Sequence, residues 1–312
     1  MSNDSFTVHP VPGHGAEDVV VTPGGDVYTG TEDGVIHRIS ADGGRVDRVA
    51  VTGGRPLGLE LCDDGDLLVC DAHRGLLKVD PATGDVETLV AEVDGVPMKF
   101  CNNAAIQRDG TIWFSDSSTR FSIEQWKDDF VQHTRTGRLL RRDPDGTVTV
   151  VLDGLAFANG VALTQDESFV AVAETGARTV ARHWLAGPRA GQTDHLVEDL
   201  TGYPDNIARG SDGLIWVTIA SPRDAVVERI QGGPRALRRL VTRIPEALQP
   251  KPRRTIRVQA FDDGGALVHD IDLDHPGFHM VTGVREHAGR VWMGSLQEPA
   301  VAVHDLPRPA MK

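Results

Sequence analysis

The chain has 312 residues, 40% hydrophobic and 25% charged, with 34 glycines, 18 prolines and 5% aromatics, a composition that excludes collagenous and intrinsically disordered chains. Its 32 Lys and Arg stand against 45 Asp and Glu, a formal net charge of -13, so the surface repels a phosphate backbone and nucleic acid is not an expected partner. Cys62, Cys70 and Cys101 are too few for a disulfide framework and match no zinc spacing, and with no export leader or long apolar run the expectation is a cytoplasmic chain without a membrane span.

From Glu17, EDVVVTPGGDVYTG reads as an alternating apolar strand, a tight Gly/Asp turn and a second strand. The same shape returns as LGLELCDDGDLLVC from Leu57, NNAAIQRDGTIWFS from Asn102, NGVALTQDESFVAV from Asn159, DNIARGSDGLIWVT from Asp205 and VTGVREHAGRVWMG from Val281. Successive starts lie 40, 45, 57, 46 and 76 residues apart, near the period of a four-stranded propeller blade with two intervals enlarged. Further strand pairs follow, as in GVIHRISADGGRVDRVAV and GLLKVDPATGDVETLV, with turn residues where hairpins need them. The predicted fold is all-β, a six-bladed β-propeller of four antiparallel strands per blade, with the whole chain, 1–312, as one domain. A sandwich also alternates, but it does not repeat one unit six times. The last unit ends after a third strand near Ala300–Leu306, so Phe6–His9 is expected to supply its fourth and close the ring.

Two insertions enlarge the repeat, about 119–136 in blade three and 222–254 in blade five, each between the second and third strands. That connection shares an end with the inner-strand starts, so both are expected to roof the axis. Within the second, Ala236, Leu237, Leu240, Val241 and Ile244 fall on one face of a predicted helix, with Arg235, Arg238, Arg239 and Arg243 around the other. The apolar face is expected to wall a pocket with Phe121, Trp126 and Phe130, suiting a substrate larger and more apolar than a free sugar lactone. For the basic face, pairing with the acidic body is the plainer reading, and an anionic membrane surface or a partner is the other.

Aligned on their turns, the six units begin with Glu17, Leu57, Asn102, Asn159, Asp205 and Val281. Inner strands line the central axis of a propeller, so these positions form a ring at one end of it. Two carboxylates and two amide oxygens, Glu17, Asn102, Asn159 and Asp205, make an all-oxygen set that suits Ca2+, with another divalent cation as the variant; zinc more usually takes His or Cys. Singly, an Asn or Asp at a strand start is a turn former. The shared register, with Glu17 in it, points to ligation, and whether the metal serves chemistry or only plugs the channel stays open.

FCNNAAIQRDGTIWFSDSS, FANGVALTQDESFVAVAET and GYPDNIARGSDGLIWV, with GAEDVVV, GRPLGLEL, DAHRGLLKVD and VREHAGRVWMGSL, resemble the strictosidine synthase-like proteins. Their wider group holds the gluconolactonases, senescence marker protein, luciferin-regenerating enzyme, diisopropyl fluorophosphatase and the paraoxonases. The resemblance spans nearly the whole chain, keeps motif order, and implies a six-bladed propeller with an axial divalent cation. It carries the ligand role to Glu17, Asn102, Asn159 and Asp205, and, from the paraoxonases, a weaker one to Asn206. True strictosidine synthase uses a catalytic Glu on the last blade; the matching position here is Thr282, with a one-residue gap beside Val281.

The expected activity is calcium-dependent hydrolysis of a small-molecule lactone or ester, with a metal-polarised carbonyl and Asp205 as the preferred general base. His73 and His279, placed near the cavity mouth, are the other candidate bases. No GxSxG elbow supports a serine nucleophile. A non-catalytic, metal-stabilised binding propeller is the rival; an amine–aldehyde condensing enzyme lacks its Glu.

Overall fold

The structure, a computed structural model, describes residues 5–244 and 253–307, so residues 245–252 of the second insertion lie outside it. Six four-stranded antiparallel sheets follow one another along the chain. Blade one is Val19–Val21, Val27–Gly30, Val35–Ile39 and Val46–Val51; blade two is Pro56–Leu61, Leu67–Asp71, Gly75–Val79 and Val86–Val90. Blade three is Cys101–Ile106, Ile112–Asp116, Gly137–Arg142 and Val148–Leu155; blade four is Ala158–Leu163, Phe169–Glu174, Thr179–Trp184 and Thr193–Val197. Blade five is Gly202–Arg209, Ile215–Pro222, Ile256–Phe261 and Leu267–Leu273. Blade six takes Val281–His287, Arg290–Ser295 and Ala300–Asp305 from the C-terminal end and Phe6–Pro10 from the N-terminal end, paired Phe6 to His304 and Pro10 to Ala300. The inner strands touch in cyclic order and blade six meets blade one, which makes the six-bladed propeller.

Sequence chemistry explains the blade. The second strands, such as LLVCD, IWFSD and FVAVAE, are buried along their whole length, because each blade packs between two neighbours and has no solvent face. Gly25, Gly65, Gly110 and Gly213 sit at φ 91, 92, 87 and 82 in the inner hairpins, the left-handed backbone those turns require. Between blades five and six, Trp216, Val258, Phe278, Val284 and Met293 form one core; Leu68, Cys70, Phe114 and Leu140 form that between blades two and three. Each such side chain contributes about 1.5–3 kcal/mol of burial.

Both insertions leave between the second and third strands of their blades. The first folds into α1 (Trp126–Gln132); the second holds α2 (Ala225–Gln231) and α3 (Arg235–Val241). Asp129 of α1 is buried and accepts from Ser118 Oγ at 2.5 Å and Thr134 Oγ1 at 2.6 Å, which ties the insert to its stem. Asp224 caps α2, accepting from Val226 N at 2.8 Å and Val227 N at 3.2 Å.

Candidate metal centre and substrate cavity

Five inner strands slip register at the same place: between Pro56 and Leu59, Cys101 and Ala104, Ala158 and Val161, Pro204 and Ile207, and Val281 and Val284. A bulge leaves residues unpaired and re-aims their side chains. The first residue of each pair is Leu57, Asn102, Asn159, Asp205 and Thr282, and Glu17 stands at the same distance before its strand. The sixth unit therefore presents Thr282, not Val281, in the ring. The second residues alternate around the axis as Asp18, Gly58, Asn103, Gly160, Asn206 and Gly283. Each glycine makes room for a polar neighbour: a Cβ on Gly58 would lie 2.6 Å from Asn103 Cα, one on Gly160 2.6 Å from Asn206 Cα, and one on Gly283 2.4 Å from Asp18 Cα. Asp18 Oδ2 accepts from Leu59 N at 3.0 Å and Asn103 Oδ1 from Val161 N at 2.9 Å, each stitching its blade to the next.

Glu17, Asn102, Asn159 and Asp205 line one cavity of about 620 Å³. Asn102 Nδ2 donates to Ser117 Oγ at 3.0 Å and Asn159 Nδ2 to Thr175 Oγ1 at 3.2 Å, which leaves each amide oxygen free for the axis. Glu17 Oε2, Asn102 Oδ1, Asn159 Oδ1 and Asp205 Oδ1 are all buried with no hydrogen-bond partner in the structure. One orphaned buried oxygen costs about 1–3 kcal/mol; four on one cavity wall match an all-oxygen cation site. Among the described residues no three His, Cys, Asp or Glu gather as a metal cluster, so any centre here depends on the amides. Burial pushes the Glu17 carboxyl up to about 7, Asp18 adding to the rise and Arg55 opposing it. Burial first, then the charge of Glu17, raises Asp205 well above the usual carboxylate range, with the Asn159 amide offsetting part. Arg55 does not fully offset the burial of Glu17, so two carboxylates held this way call for a further countercharge.

Asn206 is buried beneath the ring, off the cavity wall, with Nδ2 and Oδ1 both unpartnered. The two histidines are not brought to the cavity, and a carboxylate partner accounts for each. His73 Nε2 meets Glu124 Oε1 at 2.6 Å on the surface of the first insertion. His279 is buried against Glu298 and lies 2.9 Å from Gln297 Oε1 and 3.3 Å from Arg254 Nη1. The next residue, Met280, reaches the cavity instead. Thr282 is buried and donates to Glu17 O at 2.9 Å, so it fixes the Glu17 backbone and carries no carboxylate to the site.

Apolar walls complete the cavity. Phe100 and Phe157 meet edge to face at 5.4 Å, Ile123 and Trp126 pack beside them, and Phe130 stands edge-on to Tyr203 at 4.8 Å. Phe121 does not join the lining; the Arg120 guanidinium lies 4.9 Å from its ring. Val226, Val227 and Ile230 of α2 and Val241 of α3 close the roof. Leu237 and Leu240 turn outward, contrary to the apolar face predicted from periodicity, because α3 seats on α1 through polar residues: Arg238 donates to Gln132 O at 2.6 Å, and Gln132 Nε2 to Thr242 Oγ1 at 3.3 Å. Neither the aromatic walls Phe100 and Phe157 nor Tyr203 announced themselves in sequence; all three stand two residues before a ring position, a spacing that could have found them.

Two family patterns match the chain: strictosidine synthase over residues 102–188, and the strictosidine synthase-like N-terminal region over residues 6–39. Strictosidine synthase-like 10 of Arabidopsis thaliana is 37% identical over 264 residues, covering 81% of this chain and 70% of that protein. The adipocyte plasma membrane-associated protein of Rattus norvegicus is 31% identical over 307 residues, covering 90% and 81%. In three dimensions the chain is similar to a gluconolactonase from Xanthomonas campestris, with TM-score 0.71, 17% identity and coverage of 97% and 89%. It is also similar to the calcium-binding protein regucalcin from Agrobacterium tumefaciens, with TM-score 0.66, 14% identity and coverage of 95% and 91%. At those identities the structural likeness speaks for the fold.

Proposed function

This chain belongs to the strictosidine synthase-like family, and on that premise we propose that it is a calcium-dependent hydrolase of apolar lactones or esters. The observation that carries the reading is the set of four orphaned, buried oxygens of Glu17, Asn102, Asn159 and Asp205 on one cavity wall. These residues would hold the cation. Bound there, a divalent cation supplies polarisation of a substrate carbonyl and stabilisation of the charge that grows on its oxygen.

The chain's own groups do the rest. Asn102 and Asn159 are locked by Ser117 and Thr175, so their oxygens need no reorganisation. Asp205 keeps some exposure to the cavity while the other three are closed off, so its carboxylate is the one that can orient a water and take its proton. Burial and the charge of Glu17 raise the proton affinity of Asp205, and a cation held at the ring opposes that rise, so Asp205 is a weaker base in the loaded site than in the empty one. Phe100, Phe157, Trp126 and Phe130 shed water from an aryl or alkyl group and hold it beside the ring. A gluconolactonase among the structural neighbours is in keeping with lactone chemistry. No carboxylate of blade six lines the cavity, which weighs against amine–aldehyde condensation.

The test is a panel of aryl esters, γ- and δ-lactones and organophosphates, assayed after chelation and after Ca2+ is restored. Turnover that requires the cation and is lost in Asp205→Ala supports the hydrolase. Inactivity on every substrate, with chelation lowering only the melting temperature, refutes it in favour of a non-catalytic propeller.

A further inference from the structure

The second insertion carries a surface that the cavity does not use. On α3, at about 100° per residue, Arg238 and Val241 face inward, whereas Arg235, Ala236, Leu237, Arg239 and Leu240 are exposed. Leu237 is 45% and Leu240 62% exposed. Leu237 and Leu240, three apart, share a face, and Arg235 and Arg239, four apart, form a basic stripe on the opposite flank of the exposed side, across Ala236. Arg229 and Arg243 extend the charge at either end and are also exposed. None of these four arginines pairs with a carboxylate among the described residues, so the expected pairing with the acidic body does not form among them. Elsewhere on the chain arginines are commonly paired, as Arg182 is with Asp194 and Arg257 with Asp270.

A cationic stripe beside large exposed aliphatic side chains is the chemistry of an interfacial segment, whose apolar groups enter the acyl boundary while guanidinium groups meet lipid phosphates. We propose that α2 and α3 dock the propeller on an anionic phospholipid surface. The occupant follows from charge complementarity: one insertion of a chain whose formal net charge is -13 carries four arginines without a carboxylate partner among the described residues. At physiological salt the screening length is about 8 Å, so the acidic body behind the insertion does not cancel the attraction at the patch. Val226, Val227, Ile230 and Val241 of the same two helices line the cavity. Docking therefore sets the cavity roof against the membrane, where apolar molecules partition.

The proposal is tested with the full chain and sedimented vesicles of phosphatidylcholine, alone or mixed with phosphatidylserine; no substrate is involved, so the result is independent of any hydrolysis. The native chain is expected to sediment with the mixed vesicles, to stay in solution with the neutral ones and to be released by salt. Arg235→Gln and Arg239→Gln each weaken retention about fivefold, Arg239→Lys keeps it, and Leu240→Ser lowers it at unchanged melting temperature. Equal retention on neutral and mixed vesicles, or none on either, overturns the proposal. So does a dimer in analytical ultracentrifugation that Leu240→Ser dissociates, which would make the patch a contact between two copies.

Discussion

Substituting Glu17 by Gln should stabilise the metal-free chain and weaken the calcium-loaded one. Burial raises the Glu17 carboxyl from 4.5 to about 7, so the folded, metal-free chain binds this proton more tightly than the unfolded chain does. Folding then takes up a proton between those values, and stability falls as pH rises through the window from about 4.5 to 7. A displacement of that size corresponds to about 3 kcal/mol, fully lost above pH 7. For a chain of this length that is about 5 °C in melting temperature. In excess chelator at pH 8, Glu17→Gln should therefore melt about 5 °C above the native chain, and the two should converge near pH 4.5. Asp18, also pushed up to about 7, and Asp205, raised well above its ordinary range, act in the same direction; the charge of Glu17 is part of what raises Asp205, so removing it eases Asp205 as well and adds to the variant's gain. Calcium at a hundredfold over its dissociation constant adds about 2.7 kcal/mol to whichever form binds it, and should favour the native chain. The assay is a differential scanning series across pH with chelator or Ca2+. A native melting temperature that is flat or rising from pH 5 to 8 in chelator, or a Glu17→Gln variant no more stable there, refutes the reasoning.

Three further outcomes follow from the packing. Arg138 Nη2 lies 2.6 Å from Asp116 Oδ2 on a carboxylate with no exposure; Arg138→Met should cost about 3–5 kcal/mol, and adding Asp116→Asn should recover most of it in thermal melts. Gly160→Ala puts a Cβ 2.0 Å from Ile207 N, so soluble yield should collapse, whereas Gly24→Ala, with its nearest contact at 3.7 Å, should stay within about 0.5 kcal/mol. Trp126→Ala trims a cavity wall that is not a ligand; with an aryl ester as substrate KM should rise severalfold at similar kcat, and an unchanged KM would remove the ring from substrate binding.

The propeller was legible because its unit is local and repeated. Turn chemistry at Gly25, Gly65 and Gly110 and strand alternation lie within each segment, and the missing fourth strand of blade six pointed back to Phe6–Pro10. The four oxygen donors were legible for the same reason, since register along a strand fixes position around an axis. What escaped depends on contacts between distant segments. His73 pairs with Glu124 across an insertion, and His279 with Glu298 on a following loop; neither partner is marked by spacing. The face of α3 was inverted because apolar periodicity says which residues could be buried, not whether Arg238 and Gln132 seat the helix first. The alternation of Gly58, Gly160 and Gly283 with Asp18, Asn103 and Asn206 was visible in the aligned units, but its meaning needed the close approach of neighbouring strands.

Calcium titration of the chelated chain by calorimetry bears most directly on the axial site. One cation per chain should bind, with affinity falling about tenfold or more in Asn102→Ala and in Asn159→Ala and vanishing when Glu17 and Asp205 are both made amides. Absence of binding to the native chain, or binding that persists unchanged in those variants, would contradict the account.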